Sequence, residues 1–371
     1  MSAPADASQQ DACFMALALA LGRRGLGRTW PNPAVGAVIV KDGIIVGRGW
    51  TQPGGRPHAE IEALRRAGGA ARGATLYVTL EPCSHHGKSP PCADAIIAAG
   101  LFRVVSALED PNPEVAGAGH ARLRAAGITV DIGIGAEEAR HDHAGHVRRI
   151  RDGRPHVILK LAVSADGKAA APGGKPVSIT GAAARDRVHL LRAQSDAIMV
   201  GIGTALADDP MLTCRLPGMQ KYSPVRVILD SALRLPPSSR LARSAREVPV
   251  WVIAGAAVPD AAEEALTREG VIVLRAAQSD GRLDLGAVLK LIAVRGVTRL
   301  MVEGGPTLAA ALLAADLVDE AVLFQSPKAV GADGVDALNG LPLTALTQSR
   351  RLQCLTTEAV GADTRFLFER R

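Results

Sequence analysis

Apolar and polar positions in the first 135 residues alternate between two spacings. Apolar residues recur with the spacing of an amphipathic helix in four segments: 11–21, 58–66, 92–99 and 115–126. Short apolar runs typical of strands lie between them, at 35–40, 44–47, 76–78, 102–105 and 128–130. Lys41-Asp42-Gly43 separates the first two runs, and Asp-Gly strongly indicates a hairpin turn. Strands that alternate with helices predict a layered α/β sheet.

A second α/β series follows a polar stretch. Residues 137–154 are rich in His and Arg, and we place the domain junction there, with domains at 1–150 and 151–371. We interpret the basic run at 148–151 as a solvated connector. The strands predicted beyond it are 156–163, 197–200, 225–229, 250–253, 271–274, 300–302 and 321–324, and a final hairpin is predicted from 352–358 and 364–368. The two halves show no internal repeat.

Composition narrows the class of protein. The chain has 371 residues, of which 47% are hydrophobic but only 3% aromatic, so the cores must be built from Val, Leu, Ile and Ala. A net charge of +6 fits the capture of anionic small molecules better than nucleic-acid binding, which favours basic clusters with interleaved aromatic residues. No apolar run approaches the ~20 residues of a membrane helix, and no signal pattern begins the chain. We therefore expect a soluble, cytoplasmic protein that binds neither membranes nor nucleic acid.

The cysteines do not form a regular framework. Their number is five, and an odd, irregularly spaced set argues against structural disulfides. We interpret Cys13, Cys214 and Cys354 as small buried hydrophobic residues. Cys83 and Cys92 differ, because an imidazole and a carboxylate lie near them in the sequence.

That imidazole is His58, which begins His58-Ala59-Glu60. A catalytic Zn²⁺ takes three protein ligands and leaves one position for water, so His58, Cys83 and Cys92 are the predicted metal ligands. Zinc deaminases carry H-x-E followed by P-C-x-x-C; here the two cysteines lie nine positions apart, which preserves the chemistry but excludes that subfamily. The alternatives are a structural zinc, which would need a fourth ligand such as His85 or His86, or no metal at all.

Glu60 is the predicted catalytic acid and base of this site. Deamination requires water to lose a proton and ammonia to gain one, and a carboxylate two residues from the metal ligand can carry that proton. Without such a role, a Glu at a helix start would be a surface residue favoured by the helix dipole.

The wider set of motifs resembles the bifunctional deaminase–reductases of riboflavin biosynthesis. The deaminase half is represented by PNPAVG at 31–36, HAE at 58–60, TLEPCSHHGK at 79–88 and DPNP at 110–113. The reductase half is represented by LKLAVSADGK at 159–168, LRAQ at 191–194, DDP at 208–210 and VEGGPT at 302–307. The resemblance implies a cytidine-deaminase-like N-terminal domain, a dihydrofolate-reductase-like C-terminal domain, and Zn²⁺ and NADPH as cofactors.

In the deaminase half the resemblance implies a set of substrate-binding residues: Asn32, His85, Lys88, Asp110 and Asn112. Lys88 and His85 suit a ribose 5′-phosphate, and the amide of Asn32 can both donate and accept hydrogen bonds. Asp110-Pro111-Asn112-Pro113 could equally be an ordinary turn. The chain departs from the family at Thr51, where members often carry a His.

In the reductase half the resemblance implies two further sets. The cofactor-binding positions are Ala162, Ser178, Thr204, Asp208, Ser231, Gly305, Pro306, Thr307, Leu308, Ala309, Ala310 and Ala311. The substrate-binding positions are Pro176, Arg192, Leu212, Arg215 and Glu303. We expect Arg192 and Arg215 to converge on the substrate phosphate, because guanidinium groups bind phosphate through forked donors.

The resemblance also implies the reactions. The phosphorylated pyrimidine 2,5-diamino-6-ribosylamino-4(3H)-pyrimidinone 5′-phosphate is deaminated, and NADPH then reduces its ribosyl group to ribityl. Lys160 and Asp208 are both candidates for the proton donor of the second step. We expect a homo-oligomer. Two alternatives stay open at this point: a deaminase with an inactive reductase-like half, and a nucleic-acid-editing zinc deaminase, for which the scarcity of aromatic residues is poor support.

Overall fold

The computed structural model describes residues 4–85, 90–113, 115–174 and 178–371. The chain divides into two compact units, Met1–Gly153 and Arg154–Arg371. None of the helices in these described ranges is long and apolar enough to cross a membrane.

The first unit is a five-stranded sheet covered by helices. Its strands are β1 (Gly36–Lys41), β2 (Ile44–Trp50), β3 (Thr75–Val78), β4 (Arg103–Ser106) and β5 (Thr129–Ile132). Its helices are α1 (Pro4–Gly22), α2 (Ala59–Ala67), α3 (Cys92–Ala99), α4 (Ala118–Ala125), α5 (Ala136–Asp142) and α6 (Ala144–Asp152). The sheet order is β2-β1-β3-β4-β5, with β3, β4 and β5 parallel.

The two faces of this sheet bury different cores, and strand β1 shows how. Ala37 and Ile39 pack with residues of α2 and α3, whereas Val38 and Val40 pack with α1. Successive side chains of a strand point to opposite faces, so a continuous apolar strand predicts layers on both sides. The predicted turn between β1 and β2 is confirmed: Asp42 and Gly43 have φ of 50° and 76°.

The second unit contains a nine-stranded sheet with the order β11-β10-β9-β8-β14-β6-β15-β18-β17. The strands of the unit are β6 (His156–Val163), β7 (Lys168–Ala170), β8 (Ala197–Gly201), β9 (Val225–Leu229), β10 (Val250–Ala254), β11 (Ile272–Arg275), β12 (Gln278–Ser279), β13 (Arg282–Leu283), β14 (Arg299–Val302), β15 (Glu320–Gln325), β16 (Val335–Asp336), β17 (Leu352–Val360) and β18 (Asp363–Arg370). Its helices are α7 (Ala182–Ala193), α8 (Ile202–Asp208), α9 (Arg240–Arg243), α10 (Asp260–Arg268), α11 (Leu285–Val294), α12 (Pro306–Ala314) and α13 (Thr344–Thr347).

Strands β11 to β15 of this order run parallel, and the terminal hairpin β17–β18 joins them antiparallel through β15. The carboxyl ends of parallel strands meet at one edge of a sheet, which is where ligands bind in open α/β sheets. The ends of β6, β8 and β14 therefore mark the region in which a reductase site is expected.

Two sequence-based interpretations are wrong in detail. Cys13 and Cys354 are exposed, and only Cys214 of that group is buried. The polar stretch that we interpreted as a solvated connector forms helices α5 and α6. His143, between them, is 1% exposed, because its Nε2 lies 3.0 Å from the hydroxyl of Thr79 in the body of the first unit.

Two candidate active sites

The three predicted metal ligands lie together. His58 immediately precedes α2, Cys92 is the first residue of α3, and Cys83 lies in the segment after β3. The Nδ1 atom of His58 is 3.4 Å from the sulfur of Cys92 and 3.7 Å from that of Cys83. Ligands at usual Zn–N and Zn–S distances in a tetrahedron are about 3.6 Å apart. The donor set therefore fits Zn²⁺.

Two backbone groups hold the thiols in place. The N–H of Cys92 donates to the sulfur of Cys83 at 3.3 Å, and the N–H of Ala93 donates to the carbonyl of Cys83 at 3.1 Å. Among the described residues this metal-binding group has three members, His58, Cys83 and Cys92, and His85 is exposed. Three ligands leave a coordination position open, which is typical of a catalytic zinc rather than a structural one.

The electrostatics of the cluster favour a bound cation. Hydrogen bonding to Cys92 lowers the pKa of the Cys83 thiol to about 4, while the same contact raises the pKa of Cys92. The ionisation of one sulfur therefore opposes the ionisation of the other. Contact with Cys83 also raises the pKa of His58, since a positive charge is stabilised beside the thiolate. A bound divalent cation would displace the protons of these thiol and imidazole groups.

Glu60 lies beside this cluster on the first turn of α2 and is 3% exposed. Burial raises the pKa of its carboxyl group. A carboxylate whose pKa is raised towards neutrality can both accept and return a proton during a reaction. The structure therefore places Glu60 where the sequence predicted it, in an environment that suits general acid and base catalysis.

Asn32 contacts the other ring nitrogen of His58, one of the predicted metal ligands. Its amide nitrogen is 3.4 Å from Nε2 of His58 and donates to the carbonyl of Gly55 at 2.8 Å. Gly55 has φ of 85°, and a Cβ there would lie 2.7 Å from the Asn32 side chain. Only glycine allows this close approach. Lys88, another predicted substrate residue, lies outside the described residues.

Asp110 and Asn112 form a turn whose carboxylate is held on one side. Oδ1 of Asp110 accepts a hydrogen bond from the N–H of Asn112 at 2.9 Å and lies 3.3 Å from Nε2 of His146 on α6. Burial raises the pKa of Asp110, but the interactions with His146, the Asn112 N–H and His143 together outweigh it, and the pKa is lowered overall. His146 was missed from the sequence because it lies in the stretch interpreted as a connector.

Glu81 was also missed. Its carboxylate accepts four backbone N–H groups, which come from Asp110, Gly117, Gly119 and His120 at 2.8–3.2 Å. Glu81 therefore links the segment that carries Cys83 to the Asp110 turn. Thr51, where family members often have His, is 2% exposed, and its hydroxyl accepts the N–H of Val35 at 3.0 Å. In this chain Thr51 therefore connects the segment after β2 to the residue that precedes β1.

The second unit has a cleft of about 590 Å³ at the carboxyl ends of its central strands, a size typical of ligand pockets, which run from roughly 300 to 1,000 Å³. It brings together many of the predicted positions: Lys160, Ala162, Ser178, Thr204, Asp208, Glu303, Gly305, Pro306, Thr307 and Leu308. Lys160 and Ala162 are two apart on β6 and so share a face. Pro306 begins α12 after the cap residue Gly305.

The glycines of this cleft fit a large phosphate-bearing cofactor. A Cβ on Gly201 or Gly203 would meet no atom within 4 Å, and both residues line the cleft. A Cβ on Gly305 would lie 3.0 Å from the Thr204 hydroxyl, so the starts of α8 and α12 are close neighbours. Backbone that faces open space beside two helix starts is a suitable surface for NADPH phosphates.

Several predicted positions do not line the cleft: Ser231, Ala309, Ala310, Ala311, Arg192, Leu212 and Arg215. Ala309 and Ala310 are 0% and 8% exposed, and Leu212 is 4% exposed. The side chains of Ala309, Ala310 and Leu212 therefore pack in the interior of the second unit. Pro176, a predicted substrate contact, lies outside the described residues.

Arg192 differs most from its predicted role. Its Nε and Nη2 donate to the two carboxylate oxygens of Glu303 at 2.7 and 2.9 Å, and its Nη1 donates to the carbonyl of Thr213 at 3.0 Å. Both side chains are 11% exposed. Arg192 therefore orients Glu303, and in this structure its donors are directed to Glu303 and Thr213.

Lys160 lies 4.0 Å from Glu303 and completes a buried cluster. Burial raises the pKa of Glu303, but Arg192 and Lys160 outweigh it, so the pKa is lowered. Burial lowers the pKa of Lys160, although Glu303 opposes this effect. Burial also raises the pKa of Asp208. Both candidates for proton donor thus have pKa values moved towards neutrality.

Arg215 is exposed, and its backbone N–H donates to Nδ1 of His189 at 3.3 Å. Burial, followed by Arg192 and Arg240, lowers the pKa of its guanidinium group. Glu303 opposes the effect of these two arginines on the pKa of Arg215.

Comparisons with known proteins agree with both sites. The family model for the cytidine and deoxycytidylate deaminase zinc-binding region matches residues 8–108. The model for the RibD C-terminal domain matches residues 155–366. These matches define the class of protein: a zinc-binding deaminase domain joined to a reductase domain of mixed α/β architecture. The predicted fold class is confirmed.

Full-length relatives narrow the class. The chain is 46% identical to the riboflavin biosynthesis protein RibD of Escherichia coli over 345 residues, which cover 90% of this chain and 92% of that protein. It is 41% identical to RibD of Aquifex aeolicus over 97% of this chain and 98% of the relative.

Solved structures agree. The fold matches Acinetobacter baumannii RibD with a TM-score of 0.87 at 36% identity, covering 98% of this chain and 99% of that one. It matches a diaminohydroxyphosphoribosylaminopyrimidine deaminase/5-amino-6-(5-phosphoribosylamino)uracil reductase from Thermotoga maritima with a TM-score of 0.85 at 35% identity, with the same coverage.

The chain belongs to the RibD family of riboflavin biosynthesis proteins. It is a bifunctional enzyme with a zinc-dependent deaminase and an NADPH-dependent reductase, and it acts on a small-molecule substrate. The two alternatives, an inactive reductase half and a nucleic-acid-editing deaminase, are not favoured.

Proposed function

We propose that His58, Cys83 and Cys92 hold the zinc at which the diaminopyrimidine ribotide is deaminated. The observation that carries this proposal is the distance of 3.4–3.7 Å from His58 Nδ1 to the two sulfurs. Zinc supplies a water whose pKa falls to about 7. Glu60 would accept one proton of that water and return it to the leaving amino group, while the other proton of the water ends on the adjacent ring nitrogen. The N=C–NH₂ group and water thus become HN–C=O and ammonia.

In the reductase cleft we propose that Glu303 contacts the substrate and that Arg192 fixes its carboxylate. Bound NADPH would lie against the surface formed by Gly201, Gly203 and Thr204 and would supply a hydride to C1′ of the ribosyl group. A proton must also reach the ring oxygen for the ring to open to ribityl. Lys160 and Asp208, which both line the cleft, are the two candidates for the donor of that proton.

Substrate binding in the deaminase is assigned to Asn32, His85, Lys88, Asp110 and Asn112. The contact between Asn32 and His58 and the fixed orientation of Asp110 support this assignment. We also propose a homo-oligomer in the cytoplasm that binds neither nucleic acid nor membranes. Analytical ultracentrifugation tests the first of these proposals, and a salt titration of nucleic-acid binding tests another.

The experiment that tests the whole proposal separates the two reactions. The zinc-loaded protein is incubated with the diaminopyrimidine ribotide, with and without NADPH, and ammonia release and NADPH oxidation are followed independently. Ammonia is expected in both samples, and NADPH oxidation is expected to follow it. Ammonia without NADPH oxidation would show that the second half is inactive, and no ammonia would show that the substrate is wrong.

A further inference from the structure

Arg185 is an arginine without an assigned role at the reductase cleft. It lies on α7, is exposed, and lines the cleft together with Ser178 and Thr180. Among the described residues that line the cleft, the other cation is Lys160, which lies beside Glu303. Arg185 makes no ion pair with an acidic residue in the described part of the chain. Its positive charge is therefore available to a ligand.

The guanidinium group is already held in one orientation. Its Nη1 donates to the hydroxyl of Ser178 at 3.0 Å and to the carbonyl of Thr180 at 2.8 Å. These two acceptors engage both hydrogens of Nη1 and leave the N–H groups of Nε and Nη2. That edge of a guanidinium group is the one that binds two oxygens of a phosphate in parallel. Because the group is held beforehand, less conformational entropy is lost on binding.

The balance of charge in the cleft favours the same ligand. Two acidic residues line it, Asp208 and Glu303. Glu303 is paired with Arg192, and Lys160 lies nearby. A cofactor with several phosphate charges would meet repulsion from Asp208 unless a cation at the cleft compensated it. Arg185 can supply that compensation.

We infer that Arg185 binds a phosphate monoester that enters the reductase cleft. This inference rests on the proposed function, which supplies two such groups: the 2′-phosphate of NADPH and the 5′-phosphate of the ribotide. Arg215 is exposed and lies outside the cleft lining, and it is the residue that we predict to bind the ribotide phosphate. The 2′-phosphate is then the expected partner of Arg185, which makes Arg185 the residue that distinguishes NADPH from NADH.

The test uses Arg185→Gln and Arg185→Lys, with Arg187→Gln as the matched control. Arg187 is exposed on the same helix and does not line the cleft, so its removal changes the net charge equally. Calorimetric titration of the zinc-loaded full-length protein with 2′,5′-ADP and with 5′-AMP measures the phosphate contact without catalysis. Arg185→Gln is expected to weaken 2′,5′-ADP binding about ten- to hundredfold, the range for a charged hydrogen bond, and to leave 5′-AMP binding unchanged.

Steady-state kinetics with pre-deaminated ribotide distinguish the two sources of phosphate. A rise in KM for NADPH but not for NADH assigns Arg185 to the cofactor. A rise in KM for the ribotide but not for its dephosphorylated form assigns it to the substrate. Arg185→Lys should retain part of the binding, because it keeps the charge but loses the parallel donors.

The inference is overturned if Arg185→Gln has the thermal stability of the wild type and binds 2′,5′-ADP and the ribotide as the Arg187→Gln control does. If the wild type binds 2′,5′-ADP but does not reduce the ribotide, the proposed reaction fails while the assignment of Arg185 is still tested by titration. If Arg185→Gln is destabilised, Arg185→Lys becomes the test variant. Wild-type affinity of Arg185→Lys for 2′,5′-ADP, together with a wild-type KM for the ribotide, would then contradict the inference.

Discussion

The zinc site and the reductase cleft differ in how far each can be predicted from residue types and spacing along the sequence. His58 and Cys92 are 34 positions apart and bring their donor atoms within 3.4 Å. Arg192 and Glu303 are 111 positions apart and meet because β14 lies between β8 and β6 in the sheet. A metal requires particular atoms, so its ligands can be recognised by residue type. A cleft requires open space and buried charges that neutralise one another. Both depend on how all the strands and helices are arranged, which residue type does not show.

The largest effect is expected where the site depends on individual atoms. Cys83→Ser or Cys92→Ser should lose zinc and all deaminase activity, because a hydroxyl is a poor replacement for a zinc-bound thiolate. Metal analysis by mass spectrometry checks this result. Cys13→Ser is the control, since Cys13 is an exposed cysteine of the same unit. Undiminished zinc in both variants would refute the ligand assignment.

In the reductase half the largest effect should be on stability. Arg192→Ala would leave the buried carboxylate of Glu303 with Lys160 alone, and removing one partner of a buried ion pair costs roughly 3–5 kcal/mol. Chemical denaturation of the 154–371 unit within the full chain should show this loss. Arg187→Ala, an exposed change on the same helix, is the control. Equal stability of the two variants would return Arg192 to a ligand-binding role.

Arg215→Ala should act on binding instead. The side chain is exposed, so stability should be nearly unchanged. Removing one charged hydrogen-bond donor from the substrate phosphate costs roughly 1.5–3 kcal/mol, which corresponds to about 10- to 150-fold in KM. The KM for NADPH should not change, and the dephosphorylated substrate should bind the variant and the wild type almost equally. A variant that weakened NADPH alone would assign Arg215 to the cofactor.

A smaller effect is expected in α6, which lies in the stretch that we interpreted from the sequence as a connector. His146→Ala removes one contact to Asp110, in a pair that is 11–12% exposed, and a single hydrogen bond contributes about 0.5–1.5 kcal/mol. The KM of deamination should rise about two- to tenfold, with kcat little changed and reduction unaffected. His146→Gln, which keeps a donor, should recover part of the loss. Loss of kcat instead would indicate that the zinc site itself had moved.

Much of the fold was predictable because local pattern and final structure agree. Helix α3 begins and ends where apolar spacing predicted, and the turn between β1 and β2 follows from Asp42 and Gly43. Helices α5 and α6 were missed because polar side chains such as His143 are buried by partners distant in sequence. The sequence of polar and apolar residues within a short segment does not show which distant residues, such as Thr79 for His143, will bury it.

The candidate sites show the same division. The three predicted zinc ligands lie together and Glu60 lies beside them, as residue type and spacing indicated. The pair between Arg192 and Glu303 was not predicted, because the position of Arg192 at the end of a helix does not show that Glu303 will be buried beside it. Glu81 lies within the TLEPCSHHGK motif, but its residue type indicated no role, because its four hydrogen-bond donors are backbone groups that any sequence can supply.

The central claim is that one chain contains two chemically independent sites, and Glu60→Gln tests it most directly. The amide cannot accept the proton of water, so deamination should fall by on the order of 10²-fold or more, while zinc content stays at one per chain. With pre-deaminated ribotide the same variant should oxidise NADPH at the wild-type rate. If Glu60→Gln abolished reduction of the pre-deaminated substrate, the two sites would be coupled and the claim would be contradicted.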